Sequence, residues 1–181
     1  MEYKKEEIEG LISILPSIFG DDRGYFMETF NQKKYQEIIG DHYNFVQDNV
    51  SKSAQGVLRG LHFQLPPFDQ GKLVSVIQGL AIDVAVDIRK SSPTYGKHIK
   101  VILDSKTKNQ LWIPPGFAHG FAALENDTIF CYKCTNFYAP EYEKSILWDD
   151  LELNIDWSIK NPTVSEKDQM AMSFKSFESP F

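Results

Sequence analysis

A chain of 181 residues with 42% hydrophobic and 13% aromatic content can bury one complete core, and a single domain spanning 1–181 is expected. Charged residues make up 24%, the formal net charge is −6, and no block of like charges occurs, which excludes the composition of a disordered chain or a nucleic-acid binder while leaving small anions as partners of a few local cations. No apolar stretch approaches the ~20 residues of a membrane span, and Met1-Glu2-Tyr3-Lys4-Lys5-Glu6-Glu7-Ile8 lacks the apolar core of a signal peptide, so a soluble cytoplasmic protein is expected.

In chain order, a strand is expected over Ile12 to Pro16, a turn at Gly20-Asp21-Asp22, and a strand with an aromatic stripe over Gly24 to Phe30. Asn31 to Ile39 reads as a helix, with Asn31 as its cap and Gly40 just past its end. Strands follow at Phe45 to Ser51, Gly56 to Gln64 and Lys72 to Ile77. Leu80 to Ile88 is the clearest signal: bulky apolar residues fill every even position, and Ala81, Asp83, Ala85 and Asp87 fill the odd ones. One face should pack on the core, and the other should meet something polar, such as a cavity wall. Further strands are expected at His98 to Leu103, Gln110 to Ile113, Phe117 to Leu124 and Thr128 to Cys134, then a short helix near Ser165. The segment from Asp168 to Phe181 could pack on the body or across a dimer. So many strands with so few helices point to an all-β sandwich or small barrel of the jelly-roll type.

The Gly56 to Gln64 strand carries His62 and Arg59 on a shared polar surface. Histidine can take a proton near neutral pH, and arginine can hold a phosphate through two parallel hydrogen bonds. Taken alone, the pair reads more readily as a hydrogen-bonded core histidine beside a surface arginine. Lys72, after Gly71, could point into a cavity or be a solvated strand-end lysine. Tyr132 and Tyr138 alone read as packing aromatics. Cys131 and Cys134 sit three apart on a strand with no second cysteine pair, so they read as reduced packing residues rather than a zinc or redox motif. The four histidines, His42, His62, His98 and His119, include no two close enough in sequence to suggest a metal-ligand pair.

Several blocks in order raise the specificity. They include Phe19-Gly20-Asp21-Asp22-Arg23-Gly24-Tyr25-Phe26-Met27-Glu28, Phe45-Val46-Gln47-Asp48-Asn49, Val57-Leu58-Arg59-Gly60-Leu61-His62-Phe63-Gln64 and Gln110-Leu111-Trp112-Ile113-Pro114-Pro115-Gly116-Phe117-Ala118-His119-Gly120-Phe121. Tyr132-Lys133, Tyr138-Ala139-Pro140-Glu141, Trp148-Asp149-Asp150 and Ser165-Glu166-Lys167-Asp168 complete the series. With these, the chain resembles the dTDP-4-dehydrorhamnose 3,5-epimerases, the RmlC-like cupins, over nearly its whole length.

That resemblance implies a jelly-roll cupin, a double-stranded β-helix sandwich with a few short helices, acting as an isomerase on a dTDP-4-keto-6-deoxy sugar without a metal or other cofactor. It makes His62 the base, Asp168 its carboxylate partner, Lys72 the group at the ketone oxygen and Tyr132 the proton donor. Arg59 would grip the diphosphate, Gln47 and Asn49 would read the pyrimidine edge, and Tyr138 would stack. His119 would bond the substrate; separately from the resemblance, Asp83 on the acidic face of the Leu80 to Ile88 strand is a candidate to orient it. Glu143 and Lys167 match ligand-contacting positions, with exposed loop charges as the equal alternative. A homodimer with N-terminal strand exchange is also implied, Arg23, Phe26 and Glu28 reaching the neighbouring subunit's ligand together with Phe19. Asn136-Phe137 stands where the family more often has Asp then Tyr. The rival readings are a 3- or 5-only epimerase, a 3,4-ketoisomerase, a metal-dependent cupin and a non-catalytic sugar-nucleotide binder.

Overall fold

Alternation of apolar and polar residues becomes strand almost wherever it occurs. The computed structural model describes residues 1–181, with strands β1 (Glu2–Lys5), β2 (Ile12–Leu15), β3 (Ile18–Asp21), β4 (Gly24–Met27), β5 (Gln47–Ser53), β6 (Leu58–Gln64) and β7 (Lys72–Gln78). Then come β8 (Leu80–Asp87), β9 (His98–Asp104), β10 (Gln110–Ile113), β11 (Phe117–Ala123), β12 (Thr128–Cys134) and β13 (Glu143–Ser145). The helices are α1 (Gln32–Ile39) and α2 (Glu166–Gln169). A six-stranded sheet, ordered β1-β2-β10-β7-β12-β5, packs on a five-stranded sheet, ordered β13-β6-β11-β8-β9, and β3 and β4 form a separate hairpin. This is the expected all-β jelly roll. No helix is long and apolar enough to cross a membrane.

Asn31 caps α1 by accepting the Lys34 N–H at 3.3 Å, and Gly40 ends the helix. Tyr35 and Ile39, one turn apart, are buried with Trp112, Ile12 and Leu73. Three strands escape the periodicity. β1 is wholly exposed and polar, and it pairs with β2 through its backbone alone. The expected turn at Gly20-Asp21-Asp22 forms one residue later, so Gly20 and Asp21 lie in β3 opposite Tyr25 and Gly24. β13 is too short to show a period.

β8 corrects the expectation of one apolar and one polar face, because both of its faces are buried. Ile82, Val84, Val86 and Ile88 pack away from the six-stranded sheet, against Leu153, Trp157 and Phe177. The C-terminal segment therefore closes a core on its own chain. Ala81 and Ala85 face inward, where their small side chains leave room for Leu103, Phe117 and Phe121 between the sheets. Asp83 shares that inward side and belongs to the site described below.

Asp87 ends β8 with a fully buried carboxylate. It accepts from Arg89 Nε at 2.9 Å and Nη2 at 2.7 Å, and from Ser92 Oγ and Thr94 Oγ1 at 2.6 Å each. Burial alone would raise its pKa, but these bonds outweigh burial and bring it from 3.8 to about 2. The folded carboxyl is the stronger acid, so its stabilisation is complete above the unfolded value and is lost as pH falls from about 4 toward about 2. Asp87→Asn should cost about 2 kcal/mol at pH 7 and far less at pH 2, measured by chemical denaturation. An equal cost at both pH values would show that the charge contributes nothing.

Candidate active site

The site begins with a β-bulge. Along β6 and β11, His62 pairs with His119 and Arg59 with Phe121, so Gly60 and Leu61 together oppose Gly120 alone. Residues three apart on a regular strand face opposite sides. The extra residue reverses that, so Arg59 and His62 line one cavity while Leu58 and Leu61 both enter the core. Gly60 makes the bulge possible: its φ is +133°, and a Cβ there would lie 2.5 Å from Gly120 Cα and 2.9 Å from the His119 carbonyl oxygen. Its N–H also points at Asp168 Oδ2, 3.4 Å away. Gly60 is not among the candidate residues of the sequence, although a glycine between Arg59 and Leu61 in an otherwise apolar strand is the usual signal of a bulge. Gly60→Ala should lower stability by about 3 kcal/mol, read as a shift of the urea midpoint at unchanged slope. A wild-type midpoint would contradict this account of the bulge.

His62 and Asp168, distant in sequence, meet at 2.6 Å between Nε2 and Oδ1. Ser165 caps α2 and sets Asp168, almost fully buried, in its first turn. Burial favours the protonated acid, but hydrogen bonds from His62, the Gly60 N–H and the Ser165 region win and hold the carboxyl below its ordinary value. The anion fixes His62 as the Nε2–H tautomer and leaves the Nδ1 lone pair free.

His119 forms a second such pair, Nε2 to Asp83 Oδ2 at 2.7 Å. Burial pushes its imidazole pKa down against the pull of Asp83. The register pairs His62 with His119, so two sequence-distant histidines stand side by side on adjacent strands. Each has its own carboxylate, and no group of three or more His, Cys, Asp or Glu side chains converges as a metal site.

Two cavities, of about 400 Å³ and 330 Å³, share His62, Lys72 and Tyr132. Lys72 is half-buried, donates to the His62 carbonyl at 3.5 Å, and has its ammonium pKa lowered by burial. Burial raises the pKa of the Tyr132 phenol, so it stays protonated at neutral pH. Phe121 and Phe130, one from each sheet, stack with centroids 3.9 Å apart and wall the larger cavity.

The smaller cavity holds Gln47, Asn49, Tyr138 and Glu143. Gln47 accepts the Tyr138 N–H at 2.9 Å and donates to Asn49 at 3.0 Å, and Asn49 donates to Cys134 Sγ at 3.6 Å. Both cysteines are free, but Cys134 does more than pack, since it lines this cavity and anchors an amide. Tyr138, 54% exposed, donates its hydroxyl to Glu143 at 2.9 Å, and Lys167 pairs with the same carboxylate oxygen. Burial would raise the Glu143 pKa, but these two partners lower it overall. Lys167 lines the larger cavity and Glu143 the smaller, so their pair ties the two rims together.

Arg23, Phe26 and Glu28 line neither cavity. They belong to the β3–β4 hairpin and the residue just after it, where Arg23 bonds Asp21, Glu28 pairs with Lys34 at 2.7 Å, and Phe19 and Phe26 are 64% and 68% exposed.

A sequence model of the family described as dTDP-4-dehydrorhamnose 3,5-epimerase matches residues 5–176. The chain is 53% identical over 174 residues to the dTDP-4-dehydrorhamnose 3,5-epimerase of Shigella flexneri, covering 96% of each chain. It is 48% identical over 175 residues to that of Pseudomonas aeruginosa, again covering 96% of each. Among solved structures it is similar to dTDP-6-deoxy-D-glucose-3,5-epimerase RmlC of Legionella pneumophila in complex with dTDP-4-keto-L-rhamnose. That match has a TM-score of 0.94 and 48% identity, covering 98% of this chain and 94% of the other.

Proposed function

The chain belongs to the dTDP-4-dehydrorhamnose 3,5-epimerase family and is an isomerase of the epimerase class, and from that premise we propose how its own residues invert carbons 3 and 5 of a dTDP-4-keto-6-deoxy-glucose. The observation that carries the reading is the sharing of His62, Lys72 and Tyr132 by both cavities, with Asp168 behind His62. The sugar ring sits at that junction. His62 Nδ1 takes the proton from a carbon beside the ketone, and the C–H electron pair becomes an enolate. Asp168 steadies the imidazolium, and Lys72 donates to the oxygen where negative charge develops. Tyr132 returns a proton to the opposite face, and its phenolate is reprotonated as His62 releases its own proton, so the cycle closes without net charge. His119, held by Asp83, donates to the substrate.

Arg59 binds the diphosphate, Gln47 and Asn49 present amides to the pyrimidine edge, and Tyr138 stacks at the rim beside Glu143 and Lys167. The exposed aromatics of the β3–β4 hairpin suit exchange between two copies in a homodimer, with Arg23, Phe26 and Glu28 completing the partner subunit's nucleotide site. Two free thiols accord with a cytoplasmic location. The test is to supply dTDP-4-keto-6-deoxyglucose, reduce the product with borohydride and identify the sugars. Rhamnose and its 4-epimer are expected. Sugars of the unaltered configuration, or inversion at one carbon only, would contradict a double epimerase and favour the non-catalytic or single-carbon alternatives.

A further inference from the structure

Gln64 lies two residues beyond His62 on β6, is buried, and lines the smaller cavity, yet no step of the proposed chemistry uses it. Its side-chain amide is spent on backbone. Nε2 donates to the Phe68 carbonyl at 2.6 Å and to the Phe137 carbonyl at 3.1 Å, and Oε1 accepts the Ala139 N–H at 2.8 Å. The reverse orientation of the amide would set its oxygen against two carbonyls and its NH2 against an N–H, so only one orientation satisfies all three contacts. With both donor hydrogens used, Gln64 has little left to offer a ligand although it borders the cavity.

Two of those bonds hold the residues on either side of Tyr138. Gln47 Oε1 accepts the N–H of Tyr138 itself, so three successive residues of this loop are fixed to side chains of β5 and β6. The ring they carry is more than half exposed, and its hydroxyl bonds Glu143. An exposed aromatic on an untethered loop samples several directions, and ordering it when a ligand arrives weakens binding; a ring held in place beforehand avoids that cost. We infer that Gln64 is a positioning residue: it fixes the Tyr138 ring for stacking and so sets the affinity for the sugar nucleotide through Tyr138. This rests on the function proposed above, in which Tyr138 stacks on the ligand.

The test is a double-mutant cycle, with the binding of dTDP-glucose, which has no ketone and does not turn over, measured by calorimetry on the wild type, Gln64→Leu, Tyr138→Ala and the double variant. Gln64→Leu should bind roughly tenfold more weakly, Tyr138→Ala at least as weakly, and the double variant no more weakly than Tyr138→Ala. Wild-type affinity in Gln64→Leu, or a loss that adds in full to that of Tyr138→Ala as a general loosening of the site would, overturns the inference and leaves the epimerase reading intact. If Gln64→Leu does not fold, Gln64→Glu takes its place: as the carboxylate it keeps the acceptor for the Ala139 N–H, loses both donors and should show the same non-additivity. Failure of both variants to fold makes Gln64 a residue of the fold alone and overturns the inference. Wild-type affinity in Tyr138→Ala overturns the inference together with the stacking role of Tyr138, and a wild type that does not bind dTDP-glucose overturns the epimerase reading as well.

Discussion

His62→Ala is expected to lower epimerisation by ~10⁴-fold and to stop exchange of solvent deuterium into the sugar at both carbons. The loss corresponds to ~5.5 kcal/mol of barrier, within what removal of a positioned and oriented base accounts for. The size follows from geometry. Asp168 engages Nε2 at 2.6 Å, leaving Nδ1 as the nitrogen available to a substrate C–H, and both cavities open onto the same ring. Asp83 holds the only other nearby imidazole, His119, whose pKa burial lowers, so it makes a poor substitute. Binding should survive, because Arg59, Gln47, Asn49 and Tyr138 are untouched. A variant that keeps its affinity for dTDP and loses turnover fits the account, and one that retains wild-type turnover removes His62 as the base.

Tyr132→Phe should separate two steps that His62→Ala abolishes together. Without the phenol, the enolate has no donor on the far face, and epimer formation should fall ~10³-fold. Abstraction by His62 continues, and the imidazolium can return a proton or deuteron to the face it came from. Substrate recovered from heavy water should therefore carry deuterium with unchanged configuration, at a rate within about tenfold of wild-type exchange. The raised pKa of the buried phenol underlies this, since a phenol that stays protonated at neutral pH can act as an acid. Equal loss of exchange and epimerisation would place Tyr132 at the first step instead.

What the sequence discloses depends on the range of the interactions. The alternation in Leu80 to Ile88 and the Asn31 cap are local, and β8 and α1 form within a residue of where those signals place them. β1 and β13 exist because a neighbouring strand offers backbone partners, which their own side chains do not encode. β8 misleads in one respect, since periodicity distinguishes two faces but not which layer covers each. The C-terminal segment covers the bulky face, and no local pattern announces it. The site divides similarly. His62 and Arg59 are conspicuous as residues, but their common orientation depends on a bulge opposite Gly120, which only the pairing of β6 with β11 reveals. The pairings of His62 with Asp168 and of His119 with Asp83 join distant positions; resemblance points to the first, and the acidic face of the Leu80 to Ile88 strand points to the second.

The most direct measurement follows the fate of the two hydrogens beside the ketone, on carbons 3 and 5. With wild-type protein, dTDP-4-keto-6-deoxyglucose and heavy water, NMR of the product should find deuterium at carbon 3 and carbon 5 and nowhere else on the ring. Inverted product that has kept its original hydrogens would mean that no side chain in contact with solvent ever held the proton, and the acid-base role of His62 and Tyr132 would be wrong.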